Sequence, residues 1–212
     1  VFPVTIDPTL DLQVGAVLDS GYHRTTTHAF GTSGSAVGNF SSSFLQYAGF
    51  MRLTGVTIAS GAIVDVSYFI LTANATKGGV TCNGKIWAAD DSNPAQLADH
   101  TAYDAVVWDA VNVATWSGIP AMTVDVEYNT PSVNAVIQAR IDEGGWASGN
   151  AILAELQDKD ALSSVEAMRN WYVYSQSAVK AAKLHVEYTA GGAAAQWGGG
   201  IGGALIGKPK TL

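Results

Sequence analysis

The chain is poor in cysteine and has no long apolar run. Cys82 is the single cysteine among 212 residues, so no disulfide can form within the chain. It lies where a strand pattern runs into a turn, with no base nearby in sequence, which predicts a small buried side chain and no catalytic thiol. No apolar run reaches the roughly 18 residues that a membrane-spanning helix needs. The sequence therefore predicts no membrane span.

Positive charge is also scarce, and it is unevenly spread. The net charge is −7, and no Lys or Arg lies between Lys85 and Arg140, a stretch that contains seven acidic residues. This balance argues against nucleic acid as a partner. The acidic stretch is interpreted as a solvated face, with a hard-cation site or a surface for a basic partner as alternatives. Asp90 and Asp91 are the weak candidates for a structural Ca²⁺, although Asp-Ser-Asn-Pro is also a turn signature.

Catalytic motifs are not found. The chain has no phosphate-binding loop, dinucleotide fingerprint or nucleophile elbow. It has four histidines, His23, His28, His100 and His185. On one continuous strand His23 and His28 would face opposite sides, so we expect no zinc site there. The sequence predicts a protein that is not an enzyme and needs no cofactor, with a structural Ca²⁺ as the one possibility left open.

Strand patterns dominate the chain. Short β-branched and aromatic runs recur, and residues 182–189 alternate, with Leu184, Val186 and Tyr188 on one face. One segment differs: Thr130-Pro131 is typical of a helix start, and Gly144 of a helix end. We expect an all-β sandwich with one short capping helix at about 130–142.

Several motifs in this order resemble a known family. They are Lys85-Ile-Trp-Ala, the Thr130-Pro131 helix start and the turn Gly145-Trp-Ala-Ser-Gly-Asn. Together they resemble the DNRLRE-type β-sandwich family, which is related to jelly-roll carbohydrate-binding modules. The resemblance implies a jelly roll of eight to ten strands without a catalytic site, found in secreted, cell-surface and bacteriophage proteins. It places the jelly-roll domain at 46–189, with residues 1–45 as N-terminal strands or an arm that joins it.

Residues 190–212 form a Gly/Ala-rich tail beyond the last strand. A segment of this composition needs contacts to become ordered, because Gly loses much backbone entropy. The side chains that could supply such contacts are Trp197, Ile201, Leu205, Ile206, Lys208 and Lys210. We therefore expect an extended assembly tail that docks on copies of the chain or on other subunits. This predicts a structural subunit of an extracellular assembly, such as a virion decoration, head or tail component or a surface filament.

The alternative function is carbohydrate binding. Such modules stack sugar rings on exposed aromatic side chains, and binding residues commonly lie in loops on a rigid scaffold. The loop-like acidic stretch 103–120 holds the candidates Tyr103, Trp108, Asp109 and Trp116. Trp87, Trp146 and Trp171 fit strand or turn patterns and are expected in the core. The carbohydrate could be a glycan on a host surface.

Overall fold

The computed structural model describes residues 8–24, 27–39, 46–158 and 163–191. Within these ranges the chain is mostly β-strand, with two short α-helices and one 3₁₀ turn at Val17–Asp19. The strands are β1 (Thr9–Gln13), β2 (Ser20–Arg24), β3 (Ala29–Gly31), β4 (Ser35–Asn39), β5 (Gln46–Leu53), β6 (Ile63–Thr72), β7 (Gly84–Ala88), β8 (Ala114–Trp116), β9 (Glu127–Asn129), β10 (Ile152–Gln157), β11 (Met168–Trp171) and β12 (Lys183–Thr189). The helices are α1 (His100–Asp104) and α2 (Asn134–Ile141).

The strands form two antiparallel sheets. The first has the order β1-β12-β6-β9, and the second has the order β11-β4-β5-β10-β7-β8, with β2 paired to β5 and β3 paired to β2. Strand β1 belongs to the first sheet, and β2, β3 and β4 belong to the second. The described part of residues 1–45 is therefore integral to the sandwich. The predicted all-β sandwich is confirmed.

The main core lies between the two sheets. Phe69 and Leu71 of the first sheet and Met51 and Leu53 of the second are fully buried there. The alternation predicted for β12 is confirmed, since Leu184 and Val186 face this core while their neighbours are only partly buried. Burial of this apolar area is the main favourable term that holds the sheets together.

Helix α2 begins later than the sequence predicts. It starts at Asn134 rather than near Thr130. The Thr130 hydroxyl instead accepts a hydrogen bond from the backbone N–H of Phe69 at 2.9 Å, which ties this segment to β6. Val136, Ile137 and Ile141 are buried against the core, so α2 packs on the sandwich as expected. Neither described helix is long and apolar enough to cross a membrane.

The outer face of the second sheet is covered as well. Six of the eight residues of β5 are buried, which a strand with one solvated face would not show. The covering element is residues 89–108, which include α1 and which we call the cover segment. It forms a second apolar cluster with the sheet, made of Ala48, Phe50, Ala89, Leu97, Tyr103 and Leu153. The sequence did not predict α1 or this third layer.

Candidate ligand-binding cleft

A cleft with a volume of about 440 Å³ opens where the cover segment ends on the second sheet. Its floor consists of strand residues whose side chains point away from the main core. Side chains alternate between the two faces of each strand, and Leu156 and Ile86 point into the main core. Their neighbours on the same strands therefore point to the outer face and form the floor. The floor residues are His23 of β2, Gln46 of β5, Trp87 of β7, and Glu155 and Gln157 of β10.

The wall of the cleft comes from the cover segment. Tyr103 and Asp104 at the end of α1, followed by Val106 and Trp108, line it. The Asp99 carboxylate caps α1 by accepting a hydrogen bond from the N–H of Ala102 at 2.9 Å. An Asp at this position compensates an unpaired N–H group and fixes where the helix begins.

Aromatic rings make up much of the inner surface. The rings of Trp87 and Trp108 are nearly parallel, with an interplanar angle of 13° and centroids 5.9 Å apart. Tyr103 lies 5.7 Å from Trp108 by ring centroids and stacks on His23 at 3.9 Å. Trp108 is half-buried, so part of its ring is open to solvent in the cleft. The four rings pack against one another; Trp87, Tyr103 and His23 are buried, and Trp108 is the most exposed.

A buried carboxylate lies in the floor. Glu155 has no exposed surface, and its Oε2 accepts a hydrogen bond from the Tyr103 hydroxyl. Burial, together with the charge of Glu155 and this hydrogen bond, raises the pKa of Tyr103 far above its ordinary value. The phenol therefore keeps its proton and acts as a hydrogen-bond donor, not as a base.

At one end of the cleft two histidines meet a carboxylate. His23 Nε2 lies 3.4 Å from Asp104 Oδ1, and His28 Nδ1 lies 3.2 Å from Asp104 Oδ2. The expectation that the two histidines face opposite sides is wrong, because the chain turns between them. His23 lies on β2, whereas His28 lies in the turn before β3 and has a φ of 50°.

Two of the four carbohydrate candidates lie in the cleft and two do not. Tyr103 and Trp108 line it together. Trp116 packs in the main core between the sheets and does not line the cleft. Asp109 pairs with buried Arg140, its Oδ2 lying 2.8 Å from Nη2.

Asp109 also stabilises its own loop. Burial alone would raise the pKa of its carboxyl group, but hydrogen bonds from Asn112 and Val111 and the charge of Arg140 lower it overall. The carboxylate thus anchors the loop that follows Trp108 and positions the cleft without lining it.

The candidate Ca²⁺ ligands have protein partners. Asp90 Oδ1 lies 3.0 Å from Arg140 Nη1, and Asp91 Oδ1 accepts a hydrogen bond from the N–H of Asn93 at 2.8 Å. One carboxylate is thus neutralised by a guanidinium, and the other closes the turn that its sequence signature indicated. The six tail candidates, Trp197, Ile201, Leu205, Ile206, Lys208 and Lys210, lie outside the described residues.

The sequence missed one cleft residue, Glu155, and misplaced another, Trp87. Glu155 is a lone acidic residue inside an apolar strand run, Ala-Ile-Leu-Ala-Glu-Leu, and that isolation was a signal for a buried functional carboxylate. Trp87 is buried as expected, but on the outer face beside Trp108 and not in the main core. Trp146 and Trp171 do lie in the main core.

No family model matches the chain, and no curated protein matches its sequence. The function of the cleft is therefore inferred from its residues and geometry.

Proposed function

We propose that this chain is a non-enzymatic β-sandwich module that binds a short segment of carbohydrate in the cleft beside Trp108. The half-buried ring of Trp108, which lines the cleft beside polar side chains and stacks on buried Trp87, carries the proposal. A pyranose ring has a face of C–H groups and a rim of hydroxyl groups. An aromatic surface next to hydrogen-bonding side chains complements both.

The polar residues of the cleft suit hydroxyl groups. Gln46 and Gln157 each offer an amide that both donates and accepts, and Asp104 offers carboxylate oxygens that accept. A sugar hydroxyl is itself both donor and acceptor, so it can pair with either type. The cleft volume of about 440 Å³ lies within the usual range for small-ligand sites, roughly 300–1,000 Å³.

Acid–base catalysis is not the role that these groups favour. Tyr103 keeps its proton, and Glu155 in the floor accepts a hydrogen bond from the Tyr103 hydroxyl. In a binding role, the hydrogen-bonded Tyr103 and Glu155 hold the wall and the floor of the cleft together. The extracellular or virion-surface location and the role as an assembly subunit stay predictions of the sequence, because the tail on which they depend lies outside the described residues.

The test is a screen of the purified full chain on a glycan array, followed by calorimetric titration of the best ligand. The variant Trp108→Ala removes the half-buried ring, and we expect the Kd to rise at least about tenfold, or ~1.4 kcal/mol. The matched control is Tyr68→Ala, which removes an aromatic ring from the outer face of the other sheet. Equal affinity of the wild type and Trp108→Ala, or binding to no glycan, would refute the proposal.

A further inference from the structure

The three side chains at the end of the cleft have the chemistry of a metal site. His23, His28 and Asp104 come from three different elements: β2, the turn before β3, and α1. Each offers one ligand atom, and these atoms all lie within 4.8 Å of one another. Two imidazole nitrogens and one carboxylate oxygen are ligands that Zn²⁺ and related transition metals accept.

The spacing of these groups is close to that around a small tetrahedral ion. Metal–ligand bonds of about 2.0–2.1 Å at tetrahedral angles place two ligand atoms about 3.3 Å apart. His23 Nε2 lies 3.4 Å from Oδ1 of Asp104, and His28 Nδ1 lies 3.2 Å from the other carboxylate oxygen, Oδ2. Small side-chain movements would bring all three atoms around one ion.

The burial of His23 gives an independent reason to expect a ligand. The residue is only 2% exposed, and neither of its ring nitrogens has a hydrogen-bond partner within the described part of the chain. Buried polar nitrogens without partners are costly and are uncommon in folded proteins. A metal bond to Nε2 would satisfy one of them.

The surroundings hold these ligands in place. The His23 ring stacks on Tyr103 at a centroid distance of 3.9 Å, which restricts its orientation. Asp104 directly follows Tyr103 at the end of α1, so the same helix positions both the stacking ring and the carboxylate. His28 is the exposed member, with 64% of its side chain accessible, and it leaves a path by which an ion can enter.

We propose that His23, His28 and Asp104 bind one transition-metal ion of the Zn²⁺ class. Three protein ligands leave at least one coordination position for water or a ligand atom, and the three residues line the cleft. Hard cations such as Ca²⁺ and Mg²⁺ prefer oxygen ligands and are expected to bind poorly. The metal site does not depend on carbohydrate binding, because the arrangement of His23, His28 and Asp104 alone supports it.

The experiment uses the full chain without a histidine tag, treated with EDTA and exchanged into metal-free buffer. Calorimetric titration with Zn²⁺ is expected to show one equivalent with a Kd in the low micromolar range or below. Co²⁺ should give the strong visible absorption of a four- or five-coordinate ion. Ca²⁺ should give no comparable heat.

Two variants of exposed residues test the assignment, His28→Ala and Asp104→Ala. Each should weaken Zn²⁺ binding by at least about tenfold, since loss even of an outer-shell partner typically costs about 10–100-fold. The matched control is His185→Gln, a histidine on the other sheet that also lies next to carboxylates. Circular dichroism verifies that each variant folds.

The outcomes separate clearly. Weakened binding in both cleft variants, with the control unchanged, supports the site. Failure of Zn²⁺ to bind the wild type, equal binding by all variants, or loss only in His185→Gln would overturn it. Carbohydrate binding that persists in metal-free protein leaves the proposed function intact in each of these cases.

Discussion

The hydroxyl group of Tyr103 donates a hydrogen bond to Oε2 of Glu155, and both residues are buried where the cover segment meets β10. This contact joins the wall of the cleft to its floor. Because Tyr103 also stacks on His23, one phenol ring positions residues from β2, β10 and α1. The cleft is therefore held from within the fold rather than by a free loop.

Replacement of the phenol tests this link. Tyr103→Phe removes the donor from a buried carboxylate and keeps the ring. We expect the free energy of unfolding to fall by about 1–3 kcal/mol, the usual cost when a buried acceptor loses a partner. Urea denaturation measures it, with Tyr68→Phe as a control on the outer face of the other sheet. Unchanged stability would show that the hydrogen bond does not hold the cover segment.

Arg140 is the second anchor of the cover segment. It is only 3% exposed, and its guanidinium pairs with Asp90, Asp109 and Glu143 at 2.7–3.0 Å and donates to the carbonyl of Ala89. Arg140→Met leaves the poorly exposed Asp109 carboxylate without its cation. We expect a loss of about 3 kcal/mol in urea unfolding, because removing one partner of a buried pair is costly.

The exposed pair Lys180–Asp125 is the matched comparison for Arg140. Its N–O distance of 2.6 Å is just as short, but both side chains are well exposed to water. Lys180→Met should therefore change stability very little. An equal loss in the free energy of unfolding for the two substitutions would contradict the claim that burial makes the ion pairs of Arg140 more important to stability.

His185 should make stability depend on pH. Burial alone would lower its pKa, but hydrogen bonds to Asp11 and Glu187 outweigh this and raise the pKa above 6.5. A raised pKa in the folded state means that the protonated ring stabilises the fold. The contribution is complete below the unfolded pKa of about 6.5 and disappears as pH rises through the higher folded value.

The measurement for His185 is the urea midpoint of the wild type and His185→Gln at pH 5.5 and 8.5. The wild type should exceed the variant more at the lower pH. The groups that face the ring are Asp11 on β1, Glu187 on its own strand and Tyr68 on β6. A difference that grows with pH would contradict the raised pKa.

The sequence was informative about the sheets and less so about the cleft. The alternation in residues 182–189 identified β12, because a half-buried strand shows its period directly. The helix start at Thr130 was misjudged because its hydroxyl bonds to β6, a contact 61 residues away that no local motif reports. Local signals identify elements, whereas long-range pairing decides where they begin.

In the cleft, too, local signals identified some residues, whereas others depend on long-range pairing. The sequence indicates Tyr103 and Trp108 as candidates because they share one loop-like acidic stretch. The floor residues were not, since Trp87 and Glu155 become neighbours only through the antiparallel register of β7 and β10. His23 and His28 come together through a turn that a strand period cannot represent. Residues that lie together across a sheet can be identified only when the strand topology is known.

The most direct test of the carbohydrate cleft uses the indole N–H signals of the six tryptophans. Each gives one peak in a ¹⁵N–¹H spectrum, assignable by single Trp→Phe substitutions. Titration with the best glycan from the array should shift the signals of Trp87 and Trp108, which line the cleft. The signals of Trp116, Trp146 and Trp171, which lie in the main core, should stay in place. Shifts in the core tryptophans without shifts in Trp87 and Trp108 would contradict a binding site in this cleft.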